Sequence, residues 1–439
     1  MLPEPFIRQT IETLGEQTAE KLFASLYNDT PVTSIRHNKQ KISYQETVSH
    51  FGENIDCPIT WCNKGFYLKE RPQFSLDPLI HAGAYYVQEA SSMYAGHIIE
   101  SIYNDGDTIL DLCAAPGGKS THIASIISDE SLLVCNEVIG SRATILAENM
   151  CKWGNNNVMV ANCDPKDIGR LSGQFDIVVA DVPCSGEGMF RKEPKSINEW
   201  SAESVQLCAA RSRRIISDVW PSLKEGGYLL YSTCTFNHYE NDDNIEWICN
   251  TLGAESVKCE KPIEAIETKY GIQFAPGHTR GEGFFCALIK KCSSSPSLRS
   301  PKPNRTKFIK SPLVKDGNLL LMKGDLLKAY PEHHINKIGI IEENIRIIRS
   351  GIAVASIKGK DTIPDHALAM SSILSEGQYP TIELSLEDAL NYLRREPIKI
   401  DYQTKGYILV RYKNIALGFI KNLGNRCNNL YPQQYRLRM

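Results

Sequence analysis

The chain has 439 residues, 42% of them hydrophobic and 23% charged, with a formal net charge of −2 at neutral pH. That length exceeds one ordinary domain and allows about two to four. The slight acidity excludes a protein coated in positive potential, so any nucleic acid has to be held by local patches; no run approaches the roughly 18 apolar residues of a membrane span.

The first residues, MLPEPFIRQTIETLGEQ, carry acids and no apolar core, so no secretion leader is expected. The fourteen cysteines then read as free thiols of a cytoplasmic protein. Residues 1–70 form a small α+β unit of their own, with helical periodicity over 4–14 and 16–27 followed by strand-like SIRHN. Its cluster Arg36-His-Asn-Lys39-Gln-Lys41 makes Arg36 and Lys39 candidate RNA contacts. Cys57 and Cys62 lack a second pair at zinc-ribbon spacing, and no metal site is expected.

From 71 to 292 the pattern alternates in the way that demands a parallel sheet. Strands are predicted at 108–112, 132–136, 157–161, 175–180 and 228–232. Helices fall between them at 121–128, 141–153, 202–223 and 241–252, and a strand at 284–289 closes the sheet. An acid-free stretch runs from Gly283 to Lys315 and includes Arg299, Lys302 and Arg305. Within it, the Ser/Pro-rich segment 293–312 reads as a basic linker. Beyond it, apolar runs (LLLM, IRII, IAVASI, YILVRY, IALGFI) punctuated by glycine predict a mixed, strand-rich module.

The first strand of the alternating region runs into Cys113-Ala114-Ala115-Pro116-Gly117-Gly118-Lys119, which opens a helix. This turn has neither the G-x-G-x-x-G spacing of a dinucleotide site nor that of a P-loop. Its small residues let backbone N–H groups approach a ligand, and the helix N-terminus favours a carboxylate. Glu137 ends the second strand, where it suits ribose hydroxyls. Asp164 follows the third strand and suits an adenine amine; Asp181 ends the fourth and suits a cationic centre. Three acids fit a ligand with an amino group and a sulfonium better than a pyrophosphate, which favours S-adenosylmethionine. A bare strand–helix connection would also explain a Gly-Gly turn, but not acids at three successive strand ends.

Two thiols follow strands of the same sheet: Cys184 after FDIVVAD and Cys234 after GYLLY. Both therefore sit where open α/β sheets place their ligands. Carbon 5 of cytosine takes a methyl group only when a thiolate adds to carbon 6 and loads carbon 5 with electron density. Methylation of an exocyclic amine needs no thiol. Such a thiol requires a lowered pKa near cations; Arg191 and Lys192, within eight residues of Cys184, are candidates for this and for RNA contact. The residues themselves do not rank the thiols, and because DNA cytosine methyltransferases use the one after proline, chemistry alone makes Cys184 the favourite.

The segments DLCAAPGGKS, DVPCSGEGMFRK and YSTCTFNHYEND, in that order, resemble the RNA cytosine-5 methyltransferases of the Sun/Nop-type superfamily. Val182 stands where alanine is more usual. HAGAYYVQEASSM at 81–93 is similar to the segment leading into the catalytic domain of that family. GFIKNLGNRCNNLYPQQYR is similar to the tail of the bacterial branch acting on small-subunit ribosomal RNA. The resemblance implies a Rossmann-like α/β methyltransferase domain, with Cys234 as nucleophile and Cys184 assisting elimination and release. It implies S-adenosylmethionine bound by 113–119, Glu137, Asp164 and Asp181. It also implies an RNA-binding appendage over 1–70, a small α/β unit over 313–390 and a PUA-like RNA-binding module over 391–439. The expected activity is 5-methylcytosine formation in RNA, with ribosomal RNA or the small ribosomal subunit as partner, no membrane, and a monomeric chain. The same chemistry on transfer RNA would keep every catalytic residue. A non-catalytic RNA-binding assembly factor would have no need of two thiols and a strand-end carboxylate.

Overall fold

The computed structural model describes residues 2–294, 307–398 and 404–438; Arg299, Lys302 and Arg305 of the acid-free stretch lie outside them. None of the described helices is long and apolar enough to cross a membrane.

The chain begins with a helical hairpin, Glu4–Leu14 and Glu16–Asn28, joined at Gly15. Its apolar stripe, including Phe6 and Leu22, packs on Phe190, Trp200 and Phe236, so the hairpin lies against the thiol-bearing motifs. An antiparallel sheet follows, in the order Ile55–Ile59, Cys62–Leu68, Thr33–His37, Tyr85–Val87. Its last strand lies beyond the expected limit at 70. The segment 81–93, expected to lead into the catalytic domain, also supplies an edge to the first sheet through the pairing of Ile35 with Val87.

The central sheet has a parallel core of β1 (Thr108–Asp111), β2 (Leu132–Asn136), β3 (Val158–Ala161), β4 (Phe175–Asp181) and β5 (Leu223–Thr233). These strands are almost continuous apolar runs because helices cover both faces, and most of their side chains are buried. The spatial order is β5-β4-β1-β2-β3. The order of connection reverses between β4 and β1, which is where such sheets open a crevice at their carboxyl ends.

The predicted closing strand, Phe284–Lys291, does pair antiparallel with β5, but it does not close the sheet. Short strands at Ala254–Val257, Ile266–Glu267 and Ile272–Phe274 extend that edge. On the opposite edge, β3 pairs antiparallel with Ile347–Arg349, which comes from beyond the linker. The preceding helix, Ile335–Asn344, buries Ile338 and Ile341 in the same core as Leu110, Val134 and Met159. The unit expected to begin at 313 thus completes the central sheet rather than standing apart.

Asn318–Lys323, Leu326–Pro331, Ile352–Lys358 and Asp361–Pro364 form an antiparallel sheet of their own. The last sheet contains Thr381–Glu383, Gly406–Tyr412, Ile415–Asn422 and Cys427–Asn429. The division expected at 390 falls inside helix Leu386–Arg394. Ala389, Tyr392 and Leu393 of that helix are buried against Ile408, Val410 and Ile420, so the helix belongs to the last sheet.

Candidate active site

Asp111 ends β1, and the turn after it reaches helix Gly118–Ile126 through Gly117. Gly117 has φ +115°, and an added Cβ would press on Leu146 Cδ1 at 3.3 Å, so only glycine suits this position. The turn lines a cleft of about 230 Å³ together with Tyr86, Gln88, Asp111 and Asp181. This is the crevice expected at the β4/β1 reversal.

Asp111 has no counterpart among the sequence-derived site residues. Its Oδ2 accepts a hydrogen bond from Ser120 Oγ at 2.6 Å. Its Oδ1 is buried with no partner. Burial pushes this carboxyl up to about 7. The available signal was an acid ending an otherwise apolar strand directly before a glycine turn.

Asp181, expected to face a cationic centre, faces one supplied by the chain. Its Oδ2 lies 2.8 Å from Lys119 Nζ, and its Oδ1 accepts from Ser232 Oγ at 2.8 Å. Burial opposes the Lys119 charge, but the adjacent Asp181 outweighs it and raises the ammonium pKa. Glu137 and Asp164 end or follow the neighbouring strands, so the four carboxyl-bearing strand ends form one row roughly 15 Å long at ordinary strand spacing. Neither Glu137 nor Asp164 is free of the protein. Glu137 Oε1 accepts from Ile139 N at 2.9 Å, and Oε2 pairs with Arg142 Nη1 at 3.4 Å. Asp164 caps the short helix Pro165–Ile168 by accepting from Lys166 N at 3.0 Å. Beside Glu137, Val138 and Ile139 are half exposed, an apolar surface next to an acid.

Asp181 of β4 pairs in register with Ser232 of β5, and that register brings the two thiol loops together. Cys184 Sγ lies 3.2 Å from Cys234 Sγ and accepts the Cys234 backbone N–H at 3.3 Å. The hydrogen bond with Cys234, then burial, then the nearby charges hold the Cys184 thiol well above the ordinary cysteine range.

Two expected RNA contacts are interior residues. Arg36 is fully buried: its Nε donates to Gln88 Oε1 at 2.8 Å, its Nη2 to Thr121 Oγ1 at 2.7 Å, and its guanidinium stacks over Trp153. Burial lowers its pKa to about 10. The strand carrying it is buried on both faces, so the charge run reads as a surface only when the fold is ignored. Arg191 is also buried, with Nε 3.0 Å from Glu282 Oε2 and Nη2 on the carbonyl of Gly281. It therefore faces neither RNA nor the thiols; Lys119 is a cation within electrostatic reach of Cys234. Lys39 and Lys192 are exposed.

Comparisons with known proteins cover nearly the whole chain. Three family models match: the N-terminal domain of 16S rRNA methyltransferase RsmF at 2–90, 16S rRNA methyltransferase RsmB/F at 102–290, and the methyltransferase RsmF PUA domain at 379–437. The chain is 30% identical over 470 residues to the ribosomal RNA small subunit methyltransferase F of Cronobacter sakazakii, covering 99% of this chain and 96% of that protein. It is 31% identical over 471 residues to the protein of the same description from Aliivibrio fischeri, covering 99% and 97%. Among solved structures, a methyltransferase homologue from Pyrococcus horikoshii matches 66% of this chain and 95% of its own, with a TM-score of 0.57 and 26% identity. The structure of NSun6 from the same organism with SFG has a TM-score of 0.57 at 20% identity over 66% of this chain and 99% of that one, a likeness of fold.

Proposed function

The chain belongs to the family of ribosomal RNA small subunit methyltransferases F, and we propose that it methylates carbon 5 of a cytosine in small-subunit ribosomal RNA through a covalent adduct on Cys234. The observation that carries this reading is the pair of thiols in contact at 3.2 Å beside the cleft. Methylation of an exocyclic nitrogen would need neither thiol.

S-adenosylmethionine is the cofactor of this chemistry, and when bound it supplies carbon 5 with an electrophilic methyl group. The residues around the cleft fit it. Asp111 Oδ1, buried and unpartnered, would hold a cationic amino group. Glu137, beside the apolar surface of Val138 and Ile139, would hold a sugar and its base. Gly118, which lines the cleft, lets the backbone at the helix N-terminus approach a ligand closely, and Lys119 keeps Asp181 oriented at the junction of cleft and thiols.

The target cytosine has to leave its stack to reach the thiols. Cys234 loses its thiol proton to solvent, the thiolate Sγ adds to carbon 6, and the electron pair of the 5,6 double bond moves onto carbon 5. After carbon 5 is alkylated, a base takes its proton, the 5,6 double bond re-forms and the Sγ–C6 bond breaks. Cys184, in contact with Cys234, is the group assigned to this release.

Incubation of the protein with small ribosomal subunits and labelled S-adenosylmethionine, followed by nucleoside mass spectrometry, tests the reading. The expected product is 5-methylcytidine in small-subunit RNA, and the mark should vanish from cells lacking the gene. Label on a cytosine nitrogen, or on transfer RNA alone, would overturn it.

A further inference from the structure

Two carboxylates of the thiol-bearing motifs take no part in the chemistry above. Glu187 follows Cys184 in one loop, Glu240 follows Cys234 in the other, and both are fully buried. Each holds donors of the opposite loop. Glu240 Oε1 accepts from Ser185 Oγ at 2.5 Å, and its Oε2 accepts from Ser185 N at 2.9 Å. Ser185 is the residue next to Cys184. In the reverse direction, Glu187 Oε2 accepts from Phe236 N at 2.7 Å, and its Oε1 accepts from Asn237 Nδ2 at 2.9 Å. Asn237 Nδ2 also donates to Glu240 Oε1 at 2.9 Å, which joins the two carboxylates into one network.

The loops approach so closely that Gly188 N donates to the carbonyl of Cys234 at 2.7 Å. A Cβ on Gly188 would stand 2.7 Å from that carbonyl oxygen. Burial, and then the facing Glu187, push the Glu240 carboxyl up to about 7. Two carboxylates buried this close together are costly, yet what they secure is the distance between two side chains on separate loops.

We propose that Glu240 is a positioning residue for the methyl transfer: by gripping Ser185 at both its N–H and its hydroxyl, it sets Cys184 Sγ against Cys234 Sγ. The inference rests on the two-thiol reading of the site. Glu240 touches neither thiol as an acid or base and is not among the residues lining the cofactor cleft. Its removal should therefore change the geometry of the pair and leave ligand affinity intact.

The test uses the full-length protein and the variants Glu240→Ala, Glu240→Gln and Ser185→Ala. It measures kcat, KM for RNA and cofactor affinity. It also measures the rate at which diamide, which takes two electrons and two protons from a thiol pair, joins Cys184 to Cys234, scored by peptide mass spectrometry. Misplacement by about 1 Å predicts a kcat loss of about 10²-fold in Glu240→Ala, with crosslinking about tenfold slower and KM and cofactor affinity within about twofold. Glu240→Gln keeps one acceptor for Ser185 and should recover part of both rates. Ser185→Ala should move both in the same direction by a smaller factor; it and Glu240→Gln carry the test should Glu240→Ala not fold. Wild-type kcat and crosslinking in Ser185→Ala and Glu240→Gln would overturn the proposal, as would a kcat loss accompanied by equal loss of cofactor affinity at unchanged crosslinking. Failure of the underlying reading is distinguishable, because Cys184→Ala and Cys234→Ala would then turn over normally whatever the Glu240 variants do.

Discussion

At the scale of single residues, the proposed chemistry depends on two sulfurs in contact at 3.2 Å. The hydrogen bond with Cys234 is the largest reason the Cys184 thiol lies well above its ordinary range. The proposed roles, Cys234 as nucleophile and Cys184 for release, separate in the two alanine variants. Cys234→Ala should accordingly be inactive and form no adduct. Cys184→Ala should stall with RNA attached through Cys234, seen as a slow-migrating band on denaturing gels. Adduct in the first variant and none in the second would reverse the roles. The cofactor end of the cleft makes a separate prediction. Asp111 is held at about 7 by burial, and a cationic amino group prefers the ionised carboxylate. Affinity for S-adenosylmethionine should therefore rise between about pH 6 and 8, while the stability of the cofactor-free protein falls from about pH 4 to about pH 7 and levels off above, because over that range the native state holds a proton that the unfolded chain has already lost. Asp111→Asn should flatten the calorimetric pH profile and weaken binding by about 1.5–3 kcal/mol; an unchanged profile would remove Asp111 from the cofactor site. The thiols were legible in the sequence because each follows an apolar strand. Asp111, Glu187 and Glu240 were not, because a motif letter does not say that a carboxylate is buried or which donors surround it.

At the scale of elements, what the sequence reveals depends on how local the cause is. The parallel strands from 108 to 233 and the helices between them are legible because a strand covered on both faces is a continuous apolar run. Ile347–Arg349 is not, since it is a strand only by virtue of pairing with Val158–Ala161 across the linker. The same holds for the two-residue strand Ile266–Glu267, which exists through its partner. This long-range pairing changes what a truncation should do. A chain ending at Cys292 would expose the edge of β3 and strip Ile338, Ile341 and Ile345 from the core they share with Leu110 and Met159. Such a chain should aggregate or melt far below the intact protein. A milder version is Ile341→Ala, which should cost about 2–5 kcal/mol in denaturant unfolding. The loss should appear in the same transition as the Rossmann-like sheet. Separate transitions, with the sheet unaffected, would show that the two units are energetically independent.

At the scale of the whole molecule, a chain with a net charge of −2 has to bind RNA through a few exposed cations, and the fold decides which of its basic residues those are. Arg36 and Arg191 are structural. Arg36 ties the first sheet to helix Gly118–Ile126 through Thr121. Arg191 neutralises Glu282 where the N-terminal hairpin and the motif loop meet, in the neighbourhood of Ser25. The hairpin itself reaches the motif loop through Gln9, which donates to Glu187 at 2.6 Å. The N-terminal unit is thus a buttress of the thiol site as well as a candidate RNA surface. Lys39 and Lys192 sit on the same two segments as the buried arginines, but outside. These placements give opposite expectations for neighbouring residues. Lys39→Ala and Lys192→Ala should leave unfolding unchanged and weaken RNA binding, each reducing the slope of log affinity against log salt by about 0.7–0.9. Arg191→Ala should leave Glu282 as an uncompensated buried charge, at a cost of about 3–5 kcal/mol of stability. Its folded fraction should bind RNA with the wild-type salt slope, because Arg191 never faced a phosphate. Filter-binding titrations over a range of salt, run beside thermal melts, separate the two classes. A shallower slope in Arg191→Ala, or an unchanged one in both lysine variants, would mean that the surface gripping the RNA lies elsewhere on the molecule.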